Sequence, residues 1–206
     1  MAALTRKPSA ERRGEIVSAA LRLIGSQGLT SLTTSNLARE VGVSTGALFR
    51  HFASIDAILE QAVQYALECL DETFPDASLP PVERMLEFAR NRIRVIGSDA
   101  GLAWLLRSEQ AYLTLPSGAV CHLRQCVKRA KRFLLQTIED GVVLGDFRGD
   151  IEPEVLLVPI MGTIHALIGM PGVHRATNDS RQPNSDRILK ALLKMLAPIQ
   201  TGQGRR

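Results

Sequence analysis

The segment 32–59 places two short helical patterns on either side of a Gly-Val turn, and this arrangement restricts the fold more than any other feature of the chain. Apolar residues recur at helical spacing up to Gly42, which can close a helix in the left-handed conformation without a steric clash. Ser44 is the predicted N-cap of a second helix, in which Leu48 and Phe52 lie one turn apart on the buried face. Three hydroxyl residues can cap the first helix: Thr33, Thr34 and Ser35. The segment therefore predicts a helix-turn-helix.

Positive charge is concentrated at the helix-turn-helix end of the chain. The sequence has 25 Lys and Arg residues against 21 Asp and Glu residues, a formal net charge of +4. Residues 1–55 contain seven of the bases and three of the acids, so they hold the whole excess and the remainder is neutral. A polyanion is the expected partner of this end, where the first eight residues are predicted to form a mobile basic arm.

The cysteines and the apolar segments of the sequence indicate in which cellular compartment the protein is expected. The three cysteines form no CxxC pair, and an odd number argues against a secreted disulfide scaffold. The N-terminus lacks the apolar core of a signal peptide, and the most apolar run, 155–170, is interrupted by Pro159 and is too short for a membrane span. We therefore predict a soluble, cytoplasmic protein with no membrane partner.

Apolar residues recur at helical spacing through the rest of the chain. The aromatic content is only 4%, which favours a core of aliphatic side chains. No strand pattern is present, so we predict an all-α fold of about nine or ten helices. The predicted organisation is an N-terminal helix-turn-helix domain at 1–55, a C-terminal helical domain at 56–200 and a flexible tail at 201–206. A helix at about 54–74 links the two domains, and a single apolar helix is expected at about 102–113.

Motifs of enzymes are missing from the sequence. It contains no GxSxG, Walker loop, HExxH or GxGxxG after a strand, and its histidines are scattered, so we predict no enzyme activity and no cofactor. Cys121, His122 and Cys126 lie close enough to suggest a metal site. On a helix, however, the two cysteines point about 140° apart, and no fourth ligand is evident. We interpret them as small core cysteines beside a surface histidine, and predict no metal.

The second helix of the motif has side chains suited to DNA. A recognition helix places its N-terminal residues on base edges while its neighbours hold phosphates. The predicted contacts are with bases at Thr45, Gly46 and Ala47, and with phosphates at Thr34, Arg50 and His51. Phe49 fits either an apolar contact with a sugar or base or a partly exposed surface aromatic.

The run TTSNLAREVGVSTGALFRHFASIDAIL, after a helix ending in Gly28, resembles the DNA-binding domain of the tetracycline-repressor (TetR) family of bacterial regulators. The resemblance covers about residues 10–60, and beyond it only helical layout and length agree. It implies DNA contacts at Thr34, Ser35, Thr45, Gly46, Phe49, Arg50 and His51. The family usually has tyrosine in place of Phe49 and lysine in place of Ile55, both common phosphate contacts. Their absence implies a larger share of phosphate binding for Arg50 and residues 1–13.

The resemblance also implies a homodimer and a small effector in the C-terminal domain. The last two helices carry more apolar surface than one core needs, which independently suits an interface between two chains, with burial inside one chain as the alternative. The predicted interface residues are Leu156, Ile160, Ile164, Leu167, Leu189, Leu192, Leu193 and Leu196. The predicted residues of a mostly apolar effector pocket are Phe88, Trp104, Arg107, Tyr112, Met161 and His165, each of which also fits a plain core.

These observations predict a sequence-specific DNA-binding transcriptional regulator, most simply a repressor that a small apolar effector releases from a palindromic operator. The alternative is an all-α adaptor or small-molecule-binding protein in which the helix-turn-helix is only a packing unit. The charge distribution favours the regulator, because a packing unit has no reason to hold the entire positive excess.

Overall fold

The structure is a computed structural model that describes residues 8–169 and 184–199. Within these residues it contains ten α-helices and no strand, which confirms the predicted all-α fold. The helices are α1 (Ser9–Gln27), α2 (Thr34–Val41), α3 (Thr45–Leu48), α4 (Ile55–Asp71), α5 (Pro81–Gly97), α6 (Ala100–Arg107), α7 (Glu109–Thr114), α8 (Ser117–Val143), α9 (Pro153–Gly169) and α10 (Ser185–Leu196). The predicted tail and the predicted arm, apart from Pro8, lie outside the described residues. No described helix combines the length and the hydropathy that a membrane span requires.

The helix-turn-helix follows from local sequence. The hydroxyl of Thr33 accepts a hydrogen bond from the backbone N–H of Asn36 at 3.2 Å, and the hydroxyl of Ser44 accepts one from the N–H of Ala47 at 3.1 Å. Gly42 ends α2 in the left-handed conformation with φ of 75°. These contacts confirm the turn and caps predicted from the sequence.

Two compact units make up the chain, and the first comprises Met1–Cys69 with Asp99–Gln125. Within its described part, α1 packs against α2 and α6. Two glycines allow the backbones of α1 and α6 to approach closely: a Cβ atom added to Gly101 would lie 2.4 Å from the carbonyl oxygen of Leu21, and one added to Gly25 would lie 2.6 Å from the backbone of Ala100. The helices of the DNA-binding motif therefore rest on a closely packed support. The predicted domain boundary between residues 55 and 56 stays a prediction.

The second unit comprises Leu70–Ser98 with Cys126–Arg206. In its described part, α5 packs against α9 and α10. Three phenylalanines, Phe74, Phe88 and Phe133, form an aromatic cluster whose ring centroids are separated by 5.2 to 5.4 Å. These separations suit tilted and edge-to-face ring contacts.

The single helix expected at about 102–113 is two helices, α6 and α7. Ser108 interrupts them with an extended backbone (φ −84°, ψ 124°), although its N–H still donates to the carbonyl of Trp104 at 2.9 Å. The prediction of one helix was wrong because the apolar residues keep helical phase across the break and neither proline nor glycine marks it.

Candidate nucleic-acid interface

The recognition segment, residues 45–52, consists of α3 and the turn that follows it, and two buried side chains anchor it. Leu48 in α3 is completely buried, and Phe52 is buried one turn later. Between them the helical pattern continues past α3, because the N–H of Phe49 donates to the carbonyl of Thr45 at 3.2 Å and the N–H of Phe52 donates to that of Leu48. These anchors fix the segment from below and leave its N-terminal end on the surface.

The residues predicted to contact DNA all have accessible surface. Ser35, Thr45, Gly46, Phe49 and Arg50 are exposed, whereas Thr34, Ala47 and His51 are half-buried. Phe49 is 46% exposed, as expected for a side chain that either contacts DNA or lies on the surface. A Cβ atom added to Gly46 would contact nothing within 4 Å, so a base edge can approach the backbone there. The individual contacts stay predictions.

A groove of about 780 Å³ lies between the start of α1 and the recognition segment. Its described lining residues are Pro8, Ser9, Arg12, Ile16, Val43, Ala47, Arg50 and His51, which include two arginines and no carboxylate. Glu15 pairs with Arg12 at 2.7 Å, so Arg50 carries the less compensated charge. A groove with this charge suits a phosphate backbone.

Arg13 holds the end of the recognition segment. Its Nη1 donates to the backbone carbonyl of His51 at 2.5 Å, and its Nη2 donates to Oε1 of Gln61 at 3.4 Å. The same guanidinium lies 4.2 Å from the ring centroid of Phe52. From the sequence, Arg13 belongs to residues 1–13, an expected source of phosphate binding, whereas the structure makes it a positioning residue that joins α1, the recognition segment and α4.

Replacing Arg13 with lysine tests this positioning role. Lysine keeps the positive charge but lacks the planar fork that contacts His51 and Gln61 together. We expect R13K to bind DNA about tenfold more weakly with an unchanged salt dependence, because orientation is lost and charge is kept. Fluorescence anisotropy over a salt series measures both quantities. Arg22→Lys is the matched control, because Arg22 is exposed on α1 and pairs with Glu40 at 3.2 Å. Wild-type affinity in R13K would contradict the role.

The sequence profile of the family described as "Bacterial regulatory proteins, tetR family" matches residues 16–62, the region that forms this helix-turn-helix. The chain carries a TetR-family DNA-binding domain. The HTH-type transcriptional repressor KstR2 of Mycolicibacterium smegmatis is 23% identical over 160 residues, which cover 76% of this chain and 77% of KstR2. The HTH-type transcriptional regulator HbdR of Aromatoleum sp. (strain CIB) is 36% identical over 78 residues, 36% of this chain and 34% of HbdR.

Solved structures extend the fold comparison over most of the chain. KstR2 of Mycobacterium tuberculosis gives a TM-score of 0.73 at 18% identity, with 90% of this chain and 95% of that one covered. AibR in complex with isovaleryl coenzyme A and operator DNA gives a TM-score of 0.72 at 17% identity, with 90% and 97% covered. The fold is therefore that of TetR-family regulators, with an N-terminal helix-turn-helix and a C-terminal helical domain.

Most of the predicted interface residues of this chain lie in its own core. Seven of the eight are buried within one chain: Leu156, Ile160, Ile164, Leu167, Leu189, Leu192 and Leu196. Leu193 is half-buried, and the helices that carry all eight, α9 and α10, pack against α5. Burial within one chain, the alternative weighed from the sequence, describes these side chains. The outer surfaces of α9 and α10 expose a different apolar set, Val155, Val158 and Met195, and Ile199 is exposed just after α10.

The six predicted effector-pocket residues are divided between the units. Trp104, Arg107 and Tyr112 lie in the first unit, and Phe88, Met161 and His165 lie in the second. Phe88 is buried in the aromatic cluster, whereas Arg107 and His165 are exposed. Their part in binding an effector stays a prediction.

The cysteine and histidine positions on α8 differ in exposure. Cys126 is buried and His122 is exposed, as interpreted from the sequence, whereas Cys121 is exposed, so its interpretation as a core cysteine was wrong. Among the described residues, no group of three or more histidine, cysteine or acidic side chains is placed to hold a metal ion.

Proposed function

We propose that this TetR-family regulator is a homodimeric repressor that binds a palindromic operator and leaves it when a small effector binds the C-terminal domain. The observation that carries the proposal is the exposed N-terminal turn of α3, with Thr45 and Gly46 at the surface above buried Leu48. A helix presented in this way can enter the major groove, and the groove beside it supplies Arg50 for the phosphates. A helix-turn-helix that served only for packing would have no need of an open, basic reading surface.

Similar proteins support repression and a response to a ligand. KstR2 of M. smegmatis is named a transcriptional repressor, and AibR has been solved with isovaleryl coenzyme A and operator DNA together. An effector can release the operator only by binding more tightly to the DNA-free conformation than to the DNA-bound one. The effector proposed from the sequence, a mainly apolar molecule, must therefore have different affinities for these two conformations. Since the partner is genomic DNA of a bacterial cell, we place the protein in the cytoplasm.

The exposed apolar face of α9 and α10 supports the dimer. Val158 on α9 is 70% exposed and Met195 on α10 is 64% exposed, although other faces of both helices are buried in the core. Gly162, one turn after Val158, has open space around its Cβ position, so the backbone of a partner helix can approach closely. A surface of this kind is typical of a four-helix interface between two copies of a chain. We assign the interface to this exposed face.

Binding to DNA from upstream of the gene, measured over a salt series, tests the function. Affinity should fall steeply as salt rises. Arg50→Ala should weaken binding to all sequences about equally and lower the salt slope by about one per recognition helix. Thr45→Ala should instead change the preferred sequence, which selection from a random DNA pool reveals. Failure to bind any genomic fragment would overturn the regulator. An unchanged preference in T45A would overturn the assigned reading face.

A further inference from the structure

A buried arginine lies in the aromatic cluster of the second unit. Arg92 on α5 is only 6% exposed. Its guanidinium is 5.1 Å from the ring centroid of Phe74 and 5.0 Å from that of Phe88. The ring of Phe133 completes the cluster at 5.2 Å from each of these two rings. The aromatic faces offset part of the hydration that the buried cation has lost.

One edge of the Arg92 guanidinium is unpaired. Its Nε and Nη2 have no hydrogen-bond partner among the described residues. These two nitrogens share one side of the planar group, and their N–H bonds point in the same direction. That fork matches two oxygen atoms of a carboxylate or phosphate. Burial is the main cause that lowers the pKa of Arg92 from its ordinary value, and the nearby groups Cys126 and Asp71 oppose that shift.

The other arginines of this region show that the fold supplies acidic partners elsewhere. Arg84, also buried on α5, pairs with Asp140 at 2.6 Å. Arg129 lies 4.3 Å from the ring centroid of Phe74, but it is exposed and pairs with Asp71 at 2.6 Å. The carboxylate of Asp71 is thus paired with Arg129, and it favours the charge of Arg92 without a hydrogen bond to Nε or Nη2. Buried charged donors without hydrogen-bond partners are costly, so the unpaired edge of Arg92 points to an anion that is not among the described residues.

We propose that Arg92 binds the anionic group of the effector, a carboxylate or a phosphate, while the apolar part of the effector lies along the aromatic cluster. This inference rests on the proposed function and changes the expected effector from an apolar molecule to an amphipathic acid. Phe74 and Phe133 are half-buried, so the cluster reaches the surface on their side. Phe74 lies three positions after Asp71, the last residue of α4. An effector bound along the cluster would therefore contact the segment that follows α4.

Binding of octanoate and of octanoyl coenzyme A to the full-length protein without DNA tests the proposal. Calorimetry and thermal unfolding should show that R92M binds about 10- to 100-fold more weakly than wild type, the effect of losing hydrogen bonds to a charged group. R129M is the matched control: it removes the same charge beside the same ring, and it should stay within about threefold of wild type. Octanol, which has the same chain without the anion, should bind wild type and R92M equally.

The pattern of binding identifies the source of the anion. Binding of octanoate that depends on Arg92 indicates a carboxylate, whereas binding of octanoyl coenzyme A alone with the same dependence indicates a phosphate. Equal affinities of wild type and R92M for both acids, or no binding of either acid to wild type, would overturn the proposal. Because no DNA is present, these outcomes are independent of whether the chain is a repressor.

Thermal unfolding without ligand gives a second test. If the anionic partner of Arg92 comes from a ligand, ligand-free R92M should melt at the same temperature as wild type or higher. The substitution replaces a buried charge that lacks hydrogen-bond partners with an apolar side chain of similar length. A large fall in melting temperature would show that Arg92 has an internal structural partner, and the proposal would then be wrong.

Discussion

Val158→Glu is expected to yield a folded monomer that binds the operator at least about 100-fold more weakly than the wild-type dimer. Val158 is 70% exposed on the outer face of α9, so glutamate does not disturb the core of one chain. At a two-fold interface the substitution places two carboxylates in apolar surroundings, where their desolvation opposes association. Since a dimer holds both half-sites at once, losing one recognition helix removes the gain from bivalent binding.

Sedimentation velocity at micromolar concentration and titration of operator DNA measure the two effects. Val143→Glu is the matched control: Val143 is 84% exposed at the end of a different helix, α8, so this variant has the same change in charge and size outside the assigned set of residues. It should remain dimeric and bind DNA like wild type. A dimeric V158E protein would show that the exposed face of α9 is not the interface.

Gly101→Ala is expected to lower the free energy of unfolding by about 3 kcal/mol, which corresponds to a fall in melting temperature of about 10 °C. The added Cβ atom would lie 2.4 Å from the carbonyl oxygen of Leu21 and 2.7 Å from its Cβ atom. Both atoms belong to the rigid helix α1, so α1 and α6 must separate to admit the methyl group. Because α2 packs on α1, DNA binding should also be lost at temperatures where wild type still binds.

Thermal unfolding by circular dichroism checks this expectation. Gly118→Ala is the control, because Gly118 lies in the first turn of α8 and a Cβ atom there would contact nothing within 4 Å. Alanine at that site should leave stability unchanged or raise it by up to about 1 kcal/mol through its higher helix propensity. Equal melting temperatures of G101A and G118A would refute the tight packing of α1 on α6.

The helix-turn-helix was predictable because its determinants are local. The capping residues Thr33 and Ser44 bond to N–H groups within three positions along the chain, and Gly42 adopts its positive φ in the turn itself. Short-range contacts of this kind depend on residue type and spacing, which the sequence states directly. The break at Ser108 was not predictable in this way, since apolar phase continues through it and no proline or glycine interrupts it.

Apolar periodicity could not predict which residues of α9 are exposed. This helix is apolar nearly all round, so spacing gave no reason to prefer Val158 over Ile160. Packing against α5 decides between them, because it buries Ile160 and leaves Val158 on the surface. Which residues are available for a partner chain is therefore a property of the assembled unit and not of the helix alone.

The different roles of three arginines also became evident only in the tertiary structure. From the sequence, Arg50 and residues 1–13, which include Arg13, share the expected phosphate binding, and Arg92 has no assigned role. The structure separates them: Arg50 stays exposed, Arg13 bonds the carbonyl of His51, and Arg92 is buried among aromatic rings. The contacts that separate them join residues distant in the chain.

The sequence by itself therefore determined the all-α class, the helix-turn-helix with its caps and the positive charge of the DNA-binding end, because each depends on composition or on neighbours within a few positions. Only the tertiary structure decided which face of α9 stays exposed, that Gly101 must remain without a side chain, and that Arg92 has an unpaired edge. These features arise where helices distant in sequence pack together, and packing sets the distances and the solvent exposure that give a side chain its role.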